Sequence, residues 1–512
     1  MTNSPIPICE KIYNEKSEKQ ISCEVALPEY CPGIERIILF DSKPHISNCS
    51  FDGQKIYVSG SCLFSVLYKS DYKEKIKFVS FNQDFSHSFE ASSLSKYQQD
   101  NLHIESKAIN VTCNVTPING RRLSLNSKLV IFVCADVCST LPLYTDFGAD
   151  CQTLNNTVVC LQRMFLPDVS FSISEQITLE SQMPPAAEII FSNSLVRTDQ
   201  IKCHDGQAEI SGTISLYCLY EAENDSSDQS VQYIALQKDI PFSHTVHTGD
   251  FDTPFELKHS ISVTDTKCEI LPDSYGENRS INSIADIEIK NIELAGNKNY
   301  DVCCDAFSTC FESSAVTTPF TCTSVGETIH TTVICEENVK CDSCPITEVM
   351  LATVQIDLPT CEVLDTKLCF GAKANISIIG TNAEGEIFSA NVSCPVHITL
   401  PAGEYSTDTI FSPYIQAGEI SCKMQNGVLN TVMKLCLWCA VENQSSFYAV
   451  NDFKISNDNP LPSNCDVITV YYPESNETLW EIAKKYAVSP EKITEANNSD
   501  LTSEAIIIPC RE

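Results

Sequence analysis

The sequence predicts a mainly β chain. Three repeated antiparallel β-sandwich or barrel-like units are followed by a small β-α-α-β module. Three observations carry this. Most segments are short, rich in Val, Ile, Phe, Tyr and Thr, and alternate apolar with polar residues, as half-buried strands do. Similar segments recur along the chain at long, nearly constant offsets. After about residue 464 the pattern changes to helical spacing.

The repeats rest on three anchors. One is a strand ending in proline: Val25 to Pro28, Ser181 to Pro184, and Gln355 to Pro359. Thr157 to Cys160 and Thr332 to Cys335 precede the second and third copies at one common offset of 175 residues. The second anchor is a strand with an early glycine: Val58 to Tyr68 around Gly60, Ile210 to Tyr220 around Gly212, and a weaker copy at Phe370-Gly371. In the first copy Phe64, Val66 and Tyr68 should share one face and Ser65 and Leu67 the other. The third anchor is a hairpin, turning at Asn119-Gly120, near Gly276 and at Asn426-Gly427. Asn-Gly favours a type I′ turn, in which both central residues take positive φ. Asp136 to Thr140 and Asp305 to Thr309 match after the first two hairpins. These anchors predict units at 1–150, 151–320 and 321–458. The third reads as shortened, because Pro359 and Gly371 are 12 residues apart against 32 and 28 in the other two.

Residues 459–465 read as a linker, being rich in Pro, Asn and Ser. The module at 466–510 starts with a strand, Val467 to Tyr472. Thr478 and Glu481 form a capping-box pattern, and Leu479, Ile482, Ala483 and Tyr486 follow at helical spacing. Ser489-Pro490 opens a second helix that stops near Asn497-Asn498, and Ala505 to Pro509 is a closing strand.

Composition narrows the function. Lys plus Arg is 34 and Asp plus Glu is 67, a formal net charge of −33, which repels nucleic acid and anionic membrane. The longest strongly apolar run, Leu129 to Ala135, is far below the about 20 residues a bilayer span needs. The N-terminal residues lack the basic start and apolar core of a secretory signal. The 28 cysteines are therefore expected mostly as reduced thiols packed like small hydrophobes. Cys341-Asp-Ser-Cys344 has the spacing of half a zinc site but no matching pair at finger-like distance. Cys436 and Cys439 share that spacing in a predicted strand, where they face opposite ways. No resident metal or cofactor is expected. His87, His244 and His397 recur in the units without a repeated nucleophile or carboxylate, so they read as strand packing. No nucleophile elbow, phosphate loop or HExxH motif is present, and no catalytic residue is assigned.

The C-terminal module resembles a LysM domain. The matching residues are Glu477 to Tyr486, Val488 to Pro490, Ile493, Asn497-Asn498 and Ile507 to Pro509. Asn476-Glu-Thr478 stands where a LysM usually has Gly-Asp-Thr, and Thr502-Ser-Glu504 replaces the usual Pro-Gly-Gln turn. With three cysteine-containing β units ahead of it, the whole resembles the SipL-like spore coat assembly proteins with SPOCS domains. That resemblance implies a non-enzymatic morphogenesis factor in the mother-cell cytoplasm, at the forespore surface. Its LysM would dock a morphogenetic ATPase of the coat basement layer. The alternative is a LysM that binds peptidoglycan or N-acetylglucosamine oligomers. The expected partner- or glycan-binding residues are Asn476, Glu477, Thr478, Trp480, Asn497, Asn498 and Leu501. Trp480 reads either as a core residue of the module or as an aromatic anchor for a partner.

Overall fold

A computed structural model describes residues 6–462, apart from 73–74, 142, 146, 149, 205, 224–230, 250, 252–253, 342–343, 404 and 406–408. It also describes residues 469–510 apart from 475 and 499–504. The chain is dominated by antiparallel strands gathered into three pairs of facing sheets and one small module.

The first sheet pair uses β1 (Ile6–Ala26), β2 (Ile34–Phe51), β3 (Lys55–Ser70), β4 (Ile76–Glu90), β5 (Leu102–Asn119) and β6 (Arg122–Leu141). One sheet has the order β2-β3-β4 and the other β1-β6-β5. Alternation along β3 explains the sandwich. Ile56, Val58, Cys62, Phe64, Val66 and Tyr68 point into a core shared with Leu123, Leu125, Leu129, Ile131 and Val133 of β6. Leu67, on the opposite face, belongs to a different core.

The second pair repeats the plan with β7 (Cys151–Leu166), β8 (Val169–Thr178), β9 (Ala186–His204), β10 (Gln207–Ala222), β11 (Tyr233–His247), β12 (Phe255–Leu271) and β13 (Ser280–Ser308). The third uses β14 (Phe311–Val325), β15 (Ile329–Lys340), β16 (Glu348–Ile356), β17 (Thr360–Leu364), β18 (Lys367–Thr381), β19 (Ile387–Pro401), β20 (Thr409–Gln425) and β21 (Val428–Pro460). In each pair a meander, of three strands in the first two pairs and four in the third, faces a sheet built on the return strand of a long hairpin, β6, β13 or β21.

Gly60 and Gly212 hold equivalent places. A Cβ at either would collide with a carbonyl oxygen of the neighbouring strand, that of His45 or of Arg197, beside a register shift. His87 and His244 are also equivalent, lying opposite Val58 and Ile210. The proline turns of the first two pairs are held alike. Tyr68 Oη donates to the Pro32 carbonyl and Tyr220 Oη to that of Pro184, both at 3.1 Å. Arg121 and Arg279 clamp the same turns through carbonyls of Pro28, Cys31, Glu180 and Met183.

The third copy corrects several expectations. Pro359 does not end the opening strand; it lies between β16 and β17, both of which pair with β18. The counterpart of the proline turn is the Cys341 turn after β15. The third unit therefore keeps its full meander and is not shortened. Gly371 makes no close carbonyl approach, and it pairs with the exposed His397, so neither matches its proposed equivalent. Cys160 and Cys335 also differ, since they pair at distant levels of β13 and β21. The Asn119-Gly120 turn is not type I′, as neither residue has positive φ, whereas Asn426 (φ 52°) and Gly427 (φ 74°) form that turn.

The three pairs pack around a common centre. The backs of the meanders supply one core, including Leu39, Leu67, Phe191, Tyr217, Leu219, Leu351 and Ile379. The far ends of the long strands supply another, with Ile6, Leu141, Cys160, Tyr300, Val302, Cys322 and Ala449. Between these lies an ionic hub. Asp136, Glu293 and Glu442 occupy matching levels of β6, β13 and β21 and converge on Arg163, with separations of 3.6, 3.0 and 2.9 Å. Lys258 adds a bond of 2.5 Å to Glu442. Asp136 is thus the structural counterpart of Glu293, and Asp305 lies twelve residues further along β13. The Asp136 and Asp305 motifs are alike in sequence but not in place.

Cys9 and Cys138 face each other across β1 and β6 and form a disulfide, an exception to the expectation of reduced thiols. Apart from Cys341 and Cys510, the other described cysteines are free. Burial raises several of them, Cys62 and Cys361 to about 11 and Cys422 and Cys439 to about 12, which keeps these thiols protonated and unreactive. Cys341 packs in the third core. Cys436 and Cys439 project from opposite faces of β21, with Cys436 against the Thr332 hydroxyl and Cys439 in the core.

Candidate functional site

The C-terminal module is built from β22 (Thr469–Tyr471), α1 (Leu479–Tyr486), α2 (Pro490–Ala496) and β23 (Ile506–Ile508). The two strands pair antiparallel, Val470 opposite Ile507. Both helix starts follow from sequence. The Thr478 hydroxyl accepts from the Glu481 amide at 3.3 Å, and the Glu481 carboxylate accepts from the Thr478 amide at 2.7 Å. Ser489 caps α2 with Pro490 in its first turn. Ala487 takes a left-handed φ of 49° to end α1. Ile482, Ala483, Val488, Ile493, Ile506 and Ile508 fill the core.

Asn497 is a structural clamp. Its side chain donates to the carbonyls of Ile493 and Ile507, both at 2.8 Å, and accepts from the Ile507 amide at 2.7 Å. This ties the end of α2 to β23. Glu477 is half-buried and accepts from the Tyr471 hydroxyl at 2.7 Å. Lys485 donates to the same hydroxyl at 2.9 Å and sits over the ring. Thr478 is committed to its cap. Asn476 and Asn498 are exposed, Asn498 with φ 52°. Leu501 lies outside the described residues.

Trp480 does something that neither sequence reading contained. Its ring, packed against the module core, also meets Phe307 edge to face, with centroids 5.0 Å apart. Its Nε1 donates to Asp305 Oδ2 at 2.9 Å. Lys484, one helical turn on, donates to both oxygens of Asp305 at 2.7 Å. The module is therefore latched to the end of β13 in the second sheet pair. Asp305 and Phe307 were visible in sequence only as part of a repeated motif. The signal that distinguishes them is Phe307, where the similar stretch in the first unit has Cys138. Val470 and Ile507, paired across β22 and β23, and Tyr472 just beyond β22 are exposed.

Two family models match. Residues 33–116 match the SPOCS domain of SipL, and residues 474–509 match the LysM domain. The chain carries a SPOCS domain and a LysM domain. The SPOCS match spans β2 to β4 and most of β5, and the LysM match spans the latched helices and β23. No curated protein and no solved structure matches the chain. The two domains support a spore-associated scaffold bearing a module of the peptidoglycan-binding kind. No described helix is long and apolar enough to cross a membrane.

Proposed function

We propose that this protein is a non-enzymatic morphogenesis factor of the spore coat, acting in the mother cell. Its three sheet pairs form a rigid scaffold, and its LysM domain docks a protein partner, a morphogenetic ATPase of the coat basement layer. The observation that carries this reading is the joining of a SPOCS domain and a LysM domain on one chain. Charge adds support. Residues 466–509 carry eight acidic side chains and three lysines. A basic protein surface gains on-rate and register from that field, whereas an uncharged glycan gains nothing.

Trp480 is the proposed anchor, together with Leu501, and Asn476, Glu477, Thr478, Asn497 and Asn498 are the further proposed contact residues. In the free chain Trp480 is satisfied by Asp305 and Phe307. A partner that uses it competes with the second sheet pair. The LysM match also favours a second reading, binding of N-acetylglucosamine oligomers.

One experiment separates the two. Full-length chain and chain lacking residues 466–512 are used as baits in lysate of sporulating cells and, in parallel, on purified peptidoglycan. Capture of a coat ATPase that depends on residues 466–512, without retention on peptidoglycan, is the expected result. Retention on peptidoglycan with no coat protein captured replaces it with the glycan reading.

A further inference from the structure

A cavity of about 400 Å³ lies between the second and third sheet pairs. One wall is a row of rings on three adjacent strands. His330 of β15 and Tyr414 of β20 both lie opposite Trp438 of β21. The His330 and Trp438 rings stack at 3.7 Å. The facing wall comes from β9 and β12, with Phe255 and His259 prominent. Elsewhere such a junction is filled: between the first and second pairs, His103 of β5 stacks on Phe165 of β7 at 3.5 Å.

Several polar groups of the cavity are engaged, among them the Glu256 carboxyl, which accepts from the Thr328 amide and which burial raises toward its neutral form. Thr198 Oγ1 is 2.9 Å from His259 Nε2, and its amide donates to Gln416 Oε1 at 3.1 Å. Lys258 is committed to Glu442 and Glu293. Among the buried side-chain polar atoms of the described lining, Trp438 Nε1 is the one left unpaired. Its indole N–H is buried and no described residue accepts from it. A buried donor left unpaired is costly, and an acceptor atom on an occupant removes that cost. Burial lowers His259 to about 4 and also lowers His330, so both imidazoles are neutral near pH 7. The wall therefore has no free cation for an anionic ligand among the described residues. Aromatic walls with a few fixed polar atoms, at this volume, are the usual make-up of a small-molecule site.

We propose that this cavity binds a small, planar, uncharged aromatic molecule that carries a hydrogen-bond acceptor for Trp438. The site is separate from the LysM domain, and its occupancy does not depend on the function proposed above.

The probe is 6-propionyl-2-dimethylaminonaphthalene, a neutral fused ring with one carbonyl acceptor and solvent-sensitive emission. It is titrated into the full-length chain. Saturable, blue-shifted emission with one site per chain is expected. Only two tryptophans exist, so in a Trp480→Phe background energy transfer to the probe reports on Trp438 alone. Ala440→Phe on one wall and Cys203→Phe on the other should each lower affinity about tenfold or more by filling the space. Trp438→Phe, which keeps a ring and removes the donor, should lower it about fivefold, as loss of one hydrogen bond does. Circular dichroism and melting temperature identify any variant that misfolds, and the remaining variants then decide. Absence of saturable binding overturns the proposal. So does binding that the folded cavity-filling variants leave unchanged.

Discussion

At the scale of single residues, Trp480 and His259 show how one side chain serves or constrains the whole. Trp480 packs at the edge of its own domain's core and finds the acceptor for its N–H outside that domain, as a 44-residue module has a small core. Asp305 accepts a hydrogen bond from that N–H and another from Lys484, so one carboxylate holds two residues of α1. The two variants at this contact should act in opposite directions. Trp480→Ala should weaken partner capture by about 2 kcal/mol, the scale of an interface hot spot. Asp305→Ala should strengthen capture by removing the competing acceptor, and biolayer interferometry on the captured ATPase reads both. Equal weakening by both would show that the partner binds the latched form. His259 gives a pH effect. Its folded-state value is depressed from 6.5 to about 4 by burial, so the unfolded chain binds its proton first as pH falls. Stability should therefore drop between pH 6.5 and about 4, by a contribution on the order of 3 kcal/mol. His259→Gln should flatten that part of the profile measured by urea unfolding at each pH.

At the scale of elements, the opening strand of each sheet pair is interrupted at one level. The break is a register shift between Lys11 and Tyr13 in β1, the gap between β7 and β8, and the gap between β14 and β15. That level is where Asp136, Glu293 and Glu442 turn toward the centre. A bend there lets each long hairpin leave its own sandwich and join the common core beyond. In β13 the bend is made by Asn291, at φ 53°, with its amide donating to Asp168 at 3.3 Å. Asn tolerates this conformation because its short polar side chain bonds locally, whereas a β-branched residue clashes. Asn291→Gly should be nearly neutral and Asn291→Val should cost about 1–2 kcal/mol, measured as the shift in denaturation midpoint. A loss of similar size in both would mean that the Asn side chain, not its backbone, is what the bend needs.

At the scale of the molecule, the ionic hub joins all three sheet pairs. Arg163 and its three carboxylate partners are each about one-tenth exposed in their side chains. Charges so placed are costly to bury and acceptable only when paired. At Glu293 and Glu442 burial acts first, pushing the carboxyl pKa up. At Glu293 it prevails, and at Glu442 the nearby Lys258 and Arg163 win and lower it. Removing the shared cation leaves three carboxylates facing one lysine. Arg163→Met should therefore destabilise the chain by about 3–5 kcal/mol, the range for breaking a buried pair. Because the hub and both central cores bridge all three pairs, calorimetry should show one transition for residues 6–460 in wild type. Independent melting of the three pairs would contradict a shared centre.

What the sequence determined by itself is local. Alternation placed Phe64, Val66 and Tyr68 on one face, because strand side chains point to opposite sides in turn. The capping box at Thr478, the N-cap at Ser489 and the β-α-α-β order were legible for the same reason: each depends on residues within a few positions of one another. The glycines at 60 and 212 were recognisable as a pair because one steric demand recurs. The tertiary structure decided what lies far apart in the chain. It separated Asp136 from Asp305 although their motifs look alike, since register is counted from each hairpin turn and not from a matching string. It restored the third meander, because a strand that ends in proline is a common feature and does not mark one place in a fold. It also turned Trp480 toward Asp305, 175 residues away. No periodicity encodes that contact, because it exists only when two separately folded surfaces meet.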